Sequence, residues 1–349
     1  MKVKLLALIA PIFILGSCIE STYTLPSVSG SRFEILVVMN DSSWQAPSGR
    51  AVVALLDQDM FGLPQPEPVM SINQCSQLEF SDLLKPSRNI LLTDISTKYT
   101  GPKIAYSKNK WAQPQTVVKI TAPNDSALRK IIEESGEKIL DYFLTSERDR
   151  QIRFNKDYVN NKAKTEIESM FGIQIDIPQG ITRATKGKDF YWITNDQPNV
   201  RQDIVVYSYP YTDKNTFTKE YLLAKRDSFM KANIPGEIKG SHMGTEYKYA
   251  DPRFREIWVN DGYCAEITGL WKMVNGGSMG GPFYSHTRLD EINQRVITVE
   301  GFVFAPGTKK RNHIRFLEAV LFTSKLPQDI NSLKEVSVVA DKKEEKSAK

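Results

Sequence analysis

Gly276-Gly277-Ser278-Met279-Gly280 places a serine among glycines at the G-x-S-x-G spacing of a hydrolase nucleophile elbow. Small neighbours let such a serine project from a strained turn. Asp290 and His313 follow in the order Ser, Asp, His, with His286 as a second candidate base. A base of this kind would take the hydroxyl proton of Ser278 for acyl transfer while the aspartate orients the imidazole. The flanking residues argue otherwise. An elbow requires a helix directly after the serine, whereas Gly281-Pro282-Phe283-Tyr284 reads as extended chain. A glycine-rich connection between strands is therefore the preferred reading, with a serine hydrolase as the competing class. The same glycines lack the Lys-Ser/Thr that completes a phosphate loop.

His242, His286 and His313 are the only histidines, and none stands at a metal-ligand spacing from another. No metal and no cofactor is expected. Cys75 and Cys264 sit in different halves of the chain, so a disulfide between them would staple the halves; two separately buried thiols are the preferred alternative.

Lys309-Lys310-Arg311-Asn312-His313-Ile314-Arg315 sets cations in the first turns of a predicted helix. The positive end of the helix dipole disfavours each by about 0.3–1 kcal/mol, so a compensating anion is expected. Lipid phosphate or another polyanion would serve. Among the tryptophans, Trp192, Trp258 and Trp271 fall within apolar strand patterns and are assigned to the core. Trp44 and Trp111 stand in polar or proline-flanked segments and are the candidates for contact with a sugar or protein partner.

The elements that must position these groups follow an address. Residues 1–17 read as a lipoprotein signal: Lys2 and Lys4, an apolar run from Leu5 to Leu15, then Leu15-Gly16-Ser17-Cys18. That run is about eleven residues, short of the roughly 20 a spanning helix needs. The Cys18 thiol is expected to receive diacylglycerol and to hold the mature chain to the membrane through fatty acyl groups. Ile19-Glu20-Ser21-Thr22 lacks an acidic run, which places the expected anchor on the periplasmic face of the outer membrane. The formal charge of +5 falls by two when Lys2 and Lys4 leave, and acids and bases are interspersed. Nucleic acid is not expected as a partner; an envelope protein or polymer is.

The 349 residues, 41% hydrophobic and 25% charged, suit one large or two medium domains. Residues 18–30 read as a tether and 339–349 as a disordered tail. Between them the pattern predicts an N-terminal α+β domain (31–150), a connecting helix (151–170) and a C-terminal α+β sandwich domain (171–338). Strands are predicted at 33–39, 68–74, 89–94 and 116–121, with helices at 50–60 and from a cap at Pro123-Asn124. The second half adds strands at 190–194, 203–209, 246–249, 255–260, 263–272 and 295–304, with helices at 216–231 and 309–323. The predicted class is α+β, with antiparallel sheets packed against helices in two α/β sandwich halves.

Ile175-Asp176-Ile177-Pro178-Gln179-Gly180 followed by Phe190-Tyr191-Trp192-Ile193 resembles the start of a PsbP-like αβα sandwich, a likeness of fold without chemistry. Over most of the chain, Arg88-Asn89-Ile90-Leu91, Trp111, Gly280-Gly281-Pro282-Phe283, Arg295-Val296-Ile297 and the run from Glu300 to Gly307 resemble a family of Bacteroidetes lipoproteins catalogued as a domain of unknown function. That resemblance implies an envelope lipoprotein and carries no catalytic residues. The function expected from the sequence is a non-enzymatic binding or assembly protein of the envelope. The alternatives are a hydrolase using Ser278 and a carrier of an anionic ligand or glycan using Trp44, Trp111 and Lys309, Lys310 and Arg311.

Overall fold

The structure is a computed structural model and describes residues 24–332; the signal, Cys18, residues 19–23 of the tether and the tail lie outside the described residues. The first half is built on five strands: β1 (Glu34–Val38), β2 (Ser71–Cys75), β3 (Asn89–Ile95), β4 (Lys103–Lys108) and β5 (Thr116–Ala122). Their order is β2-β1-β3-β5-β4. Between β1 and β2 the chain forms α1 (Asp41–Trp44) and α2 (Pro47–Leu56). Apolar residues on consecutive positions of β1, from Ile35 to Val38, are all buried, the signature of a strand covered on both faces.

The α+β class expected for the chain holds, but the antiparallel reading of this half is corrected. β1 runs parallel to β2 and β3, and β3 parallel to β5; only β4 is antiparallel, against β5. Parallel neighbours need a crossover rather than a tight turn, and residues 39–70 and 76–88 supply two such connections.

Helix α3 (Asp125–Lys156) begins where Pro123-Asn124 predicts, with the Asn124 side chain accepting the Ala127 N–H. Leu128, Ile132, Ile139 and Phe143 bury one face of it. The helical run does not continue unbroken to Met170: it stops at Asp157 and restarts as α4 (Asn161–Phe171), capped by Asn160 and ended by Gly172 in the left-handed region.

The second half is an antiparallel sheet of eight strands: β6 (Arg183–Gly187), β7 (Phe190–Thr194), β8 (Arg201–Pro210), β9 (His242–Glu246), β10 (Arg253–Val259), β11 (Gly262–Val274), β12 (Gly280–Asp290) and β13 (Arg295–Phe304). The order is β10-β11-β12-β13-β8-β7-β6, and β9 shares the outer edge of β11 with β10. Alternation along the strands sends Val205, Tyr207 and Phe302 to the face covered by α5 (Lys219–Asn233), and Ile204, Val206 and Val303 to the face covered by α6 (Arg311–Leu321). The latter face joins the first half in one continuous core, in which Leu128 and Phe143 of α3 share a cluster with Val299 and Leu317. Helices α3 and α6 meet at this seam.

Candidate functional site

The triad suggested by the sequence is not assembled. Ser278 is exposed in the turn before β12, whereas Asp290 closes the far end of that eleven-residue strand, roughly 33 Å away at about 3.3 Å per residue. Buried Asp290 accepts the Asn293 N–H and the Arg295 Nε, pinning the β12–β13 turn. His313 is half-buried on α6, where burial lowers its pKa below the usual histidine value. His286 lies midway along β12, fully buried. The residue after Ser278 leads into a strand, not a helix.

The basic run is not a free anion site either. Glu67, only 3% exposed, accepts the backbone N–H groups of Lys310 and Arg311 at 2.5 and 3.0 Å. Lys310 Nζ donates to Gln65 and to the Thr308 carbonyl, and Arg311 Nη1 to the Pro68 carbonyl. The expected counter-anion is thus a carboxylate of the first half, and only Lys309 of the three is exposed.

The tryptophan assignment is partly reversed. Trp44 packs against the main core, and Trp111 meets Phe80 edge-on with Lys110 over its ring. Trp258 is the exposed one, at 71%, because β10 is an edge strand and its outward positions meet solvent. Trp192 donates to Asp203, and buried Trp271 donates to the Val303 carbonyl. Cys75 and Cys264 are both free and buried, the first in a small cluster with Leu36 and Ile90, the second in β11, so the disulfide is absent. Among the described residues no three metal-ligating side chains converge.

What the fold does bring together is arginine. A cleft of about 250 Å³ opens between the C-terminal half of α3 and α6, beside the N-terminal segment. Arg32, Arg88, Arg148, Arg150 and Arg315 line it, against two carboxylates, Glu147 and Glu318. Glu147 is shared: Arg88 reaches it through two nitrogens at 2.8 Å, Arg150 at 2.8 Å and Asn89 at 2.6 Å. Glu318 accepts Arg315 Nη1 at 2.7 Å and lies 3.8 Å from Arg148. Five cations, of which Arg32 is exposed, against two anions leave the cleft net positive. Burial, then the charge of Arg88, lowers the pKa of Arg32, while burial of Glu147 is overridden by Arg150 and Arg88, which hold that carboxyl below its ordinary value. The Nε groups of Arg150 and Arg315 are buried without a hydrogen-bond partner. Phe33, Phe154 and Phe316 supply apolar wall.

A second cavity, about 420 Å³, shares Arg148, Arg315 and Glu318 with the first. There Arg253 and Arg255 face Asp59, Glu137 and Asp141, so its charges balance. Behind it Glu266 accepts Arg255 Nε at 2.6 Å and lies 3.6 Å from His286 Nε2, while Arg255 donates to the Tyr284 hydroxyl at 3.0 Å. With its charges balanced and Arg255 bonded to Glu266 and Tyr284, this network serves the fold; the net positive cleft is the candidate site.

Its arginines are scattered at positions 32, 88, 148, 150 and 315, and no local motif reveals them. The one sequence signal was Arg88-Asn89, whose side chains both bind Glu147.

The site thus belongs to an α+β protein with two sheets joined through one core. Residues 28–156 match the Domain of unknown function (DUF8532), and residues 160–323 the Domain of unknown function (DUF4837). Together they cover the body of the chain. No curated protein matches. Among solved structures, a mutant of the protein Mog1 and the Saccharomyces cerevisiae Ran-binding protein Mog1p are each 12% identical with a TM-score of 0.29. Each comparison covers 44% of this chain, and 90% and 89% of those chains respectively.

Proposed function

We propose that this chain is a lipid-anchored protein of the bacterial envelope that binds, without catalysing a reaction, an anion carrying an apolar group in the cleft between α3 and α6. The observation that carries the reading is the excess of guanidinium: Arg32, Arg88, Arg148, Arg150 and Arg315 line the cleft against only two carboxylates, Glu147 and Glu318, and Arg32 pairs with neither. A planar guanidinium pairs with carboxylate or phosphate through parallel hydrogen bonds, and the cleft presents several at once. Phe33, Phe154 and Phe316 suit an attached apolar portion. The anchor rests on the Leu15-Gly16-Ser17-Cys18 pattern, and the periplasmic face of the outer membrane on the lack of an acidic run in Ile19-Glu20-Ser21-Thr22 after it. A Ser278-dependent hydrolase receives no support from a serine remote from Asp290, and a fluorophosphonate probe should leave Ser278 unlabelled.

The test is calorimetric titration of the full mature chain with octyl phosphate, inorganic phosphate and neutral octyl glucoside. Octyl phosphate should bind, more weakly at higher salt, and Arg32→Gln and Arg148→Gln should each weaken it about tenfold, equivalent to about 1.4 kcal/mol. Equal binding of octyl glucoside and octyl phosphate, or indifference to both substitutions, would remove the reading. Mass analysis of the amino-terminal peptide of host-made protein tests the anchor separately: acyl groups on Cys18 are expected.

A further inference from the structure

The strands β1, β2, β3 and β5 are parallel and so begin at one end of the first half. The N-terminal segment crosses that end: Ser27 bridges to Gln113 and Ser29 to Ser87. The C-terminal turns of α3 and the 109–115 loop lie there too, as the contacts of Arg150 with Thr116 and the Pro114 carbonyl show. On this end stand the exposed cations Lys108, Lys110, Arg153 and Lys156. Beside them two aromatic rings face solvent, Phe154 at 56% exposure and Tyr158 at 53%, packed on each other at 5.3 Å. Asp149 and Asp157 are the acids on this part of α3 and its cap.

From the chain's exit here to membrane, the distance is short. Residues 19–23 separate Cys18 from Thr24, the first described residue, a reach of roughly 20 Å when extended. An anchor that close constrains which surface of the body can meet lipid, and the surface next to the exit combines cations with exposed aromatic rings. Cations are attracted to anionic headgroups, and an aromatic ring settles at the interface between headgroup and acyl chain.

We infer that this end of the first half, carrying Lys108, Lys110, Arg153, Lys156, Phe154 and Tyr158, docks on an anionic bilayer surface. The inference rests on the reading of Cys18 as the lipid anchor. Docking holds the mouth of the arginine cleft at the membrane, since Phe154 and Val28 line that cleft.

The experiment uses the full, host-acylated protein reconstituted into vesicles of phosphatidylethanolamine and phosphatidylglycerol, its acyl mass measured first. Single thiols are introduced as Lys110→Cys on the docking end or Trp258→Cys on β10, an edge strand of the other sheet, and each is labelled with an environment-sensitive fluorophore. Headgroup-quenching lipids should quench the position-110 label at least threefold more than the position-258 label. The difference should fall when Arg153→Gln and Lys156→Gln are added, and when phosphatidylcholine replaces the anionic lipid. Equal quenching at both positions in an acylated protein overturns the docking surface and leaves the anchor standing. A protein that carries no acyl group overturns the anchor and, with it, the docking. Quenching at 110 that ignores both lipid charge and the Gln substitutions overturns the assignment to an anionic surface.

Discussion

Glu67, from the first half, caps the helix that carries Arg315, from the second: its two carboxylate oxygens accept the backbone N–H groups of Lys310 and Arg311. The capping position of α6 is Lys310 itself, which offers no side-chain acceptor, so the helix depends on a residue 243 positions earlier in the chain for the acceptor its own sequence lacks. The same contact fixes α6 against the first half and so sets one wall of the arginine cleft.

Replacing Glu67 with Ala should leave those two N–H groups and the Lys310 side chain without their anion. Unsatisfied buried donors cost about 1–3 kcal/mol, so the loss of stability should fall in that range. Urea unfolding measures it. If the cap also positions the cleft, octyl phosphate binding should weaken in Glu67→Ala under conditions where the protein remains folded. Stability unchanged within 0.5 kcal/mol, the usual scatter of about that size for surface changes, would remove the cap from the account.

Stability should also fall with acid through Glu266. Burial alone would raise its carboxyl, but His286 and Arg255 override burial and bring it from 4.5 to about 2. A folded-state value below the unfolded one means the fold favours the carboxylate. This stabilisation is fully present above about pH 4.5 and drains away as pH falls toward 2. At about 1.4 kcal/mol for each pH unit between the two values, it is on the order of 3 kcal/mol. Glu266→Gln should therefore lower stability at pH 7 and flatten its decline between pH 4.5 and 2. Parallel pH profiles for the two proteins would sink the assignment.

Much of this architecture could be read from residue pattern. Strands whose apolar residues are buried on both faces, such as β7, β11 and β13, declare themselves, and Pro123-Asn124 marks the start of α3. The strands β4 and β6 are exposed edges: Lys103–Lys108 and Arg183–Gly187 carry almost no buried side chain, so no apolar period exists to detect; β12, though central and buried, escapes the pattern beyond its extended start because Ser285, His286, Thr287, Arg288 and Asp290 put polar residues at its buried positions. Strand direction in the first sheet is only half-marked: the helix predicted at 50–60 is the crossover between parallel β1 and β2, whereas residues 76–88, which lead on to β3, contain no regular crossover helix. The cleft was invisible for another reason. Its five arginines come from four separate parts of the chain, and each alone resembles a solvated surface charge; only the packing of α3 on α6 reveals that they line one cleft with two carboxylates.

Edge and interior positions should separate the tryptophans experimentally. Trp258 projects from an edge strand into solvent, so Trp258→Ser should change stability by less than about 0.5 kcal/mol. Trp271 is buried against Phe302 and donates to the Val303 carbonyl, and Trp271→Ala should cost about 3–5 kcal/mol. Acrylamide should quench the emission lost in Trp258→Ser and leave the Trp271 contribution protected. Comparable destabilisation by both substitutions would contradict the placement of β10 at the sheet edge.

The two thiols offer a test of the same separation between cores. Cys75 sits with Leu36 and Ile90 in the first sheet, and Cys264 lies in β11 opposite Ile257. Burial raises the pKa of both, most strongly at Cys264, so neither supplies thiolate at neutral pH. In the folded protein both should resist a disulfide-exchange reagent such as DTNB, and both should react once denaturant is added, giving two thiols for the chain with Cys18 acylated. Reductant should leave the unfolding midpoint unchanged, because no bond links the halves; their association rests instead on the shared apolar core and on the Glu67 cap. A midpoint that drops on reduction would show that the two cysteines pair, and would require β2 and β11 to approach far more closely than their separate cores allow.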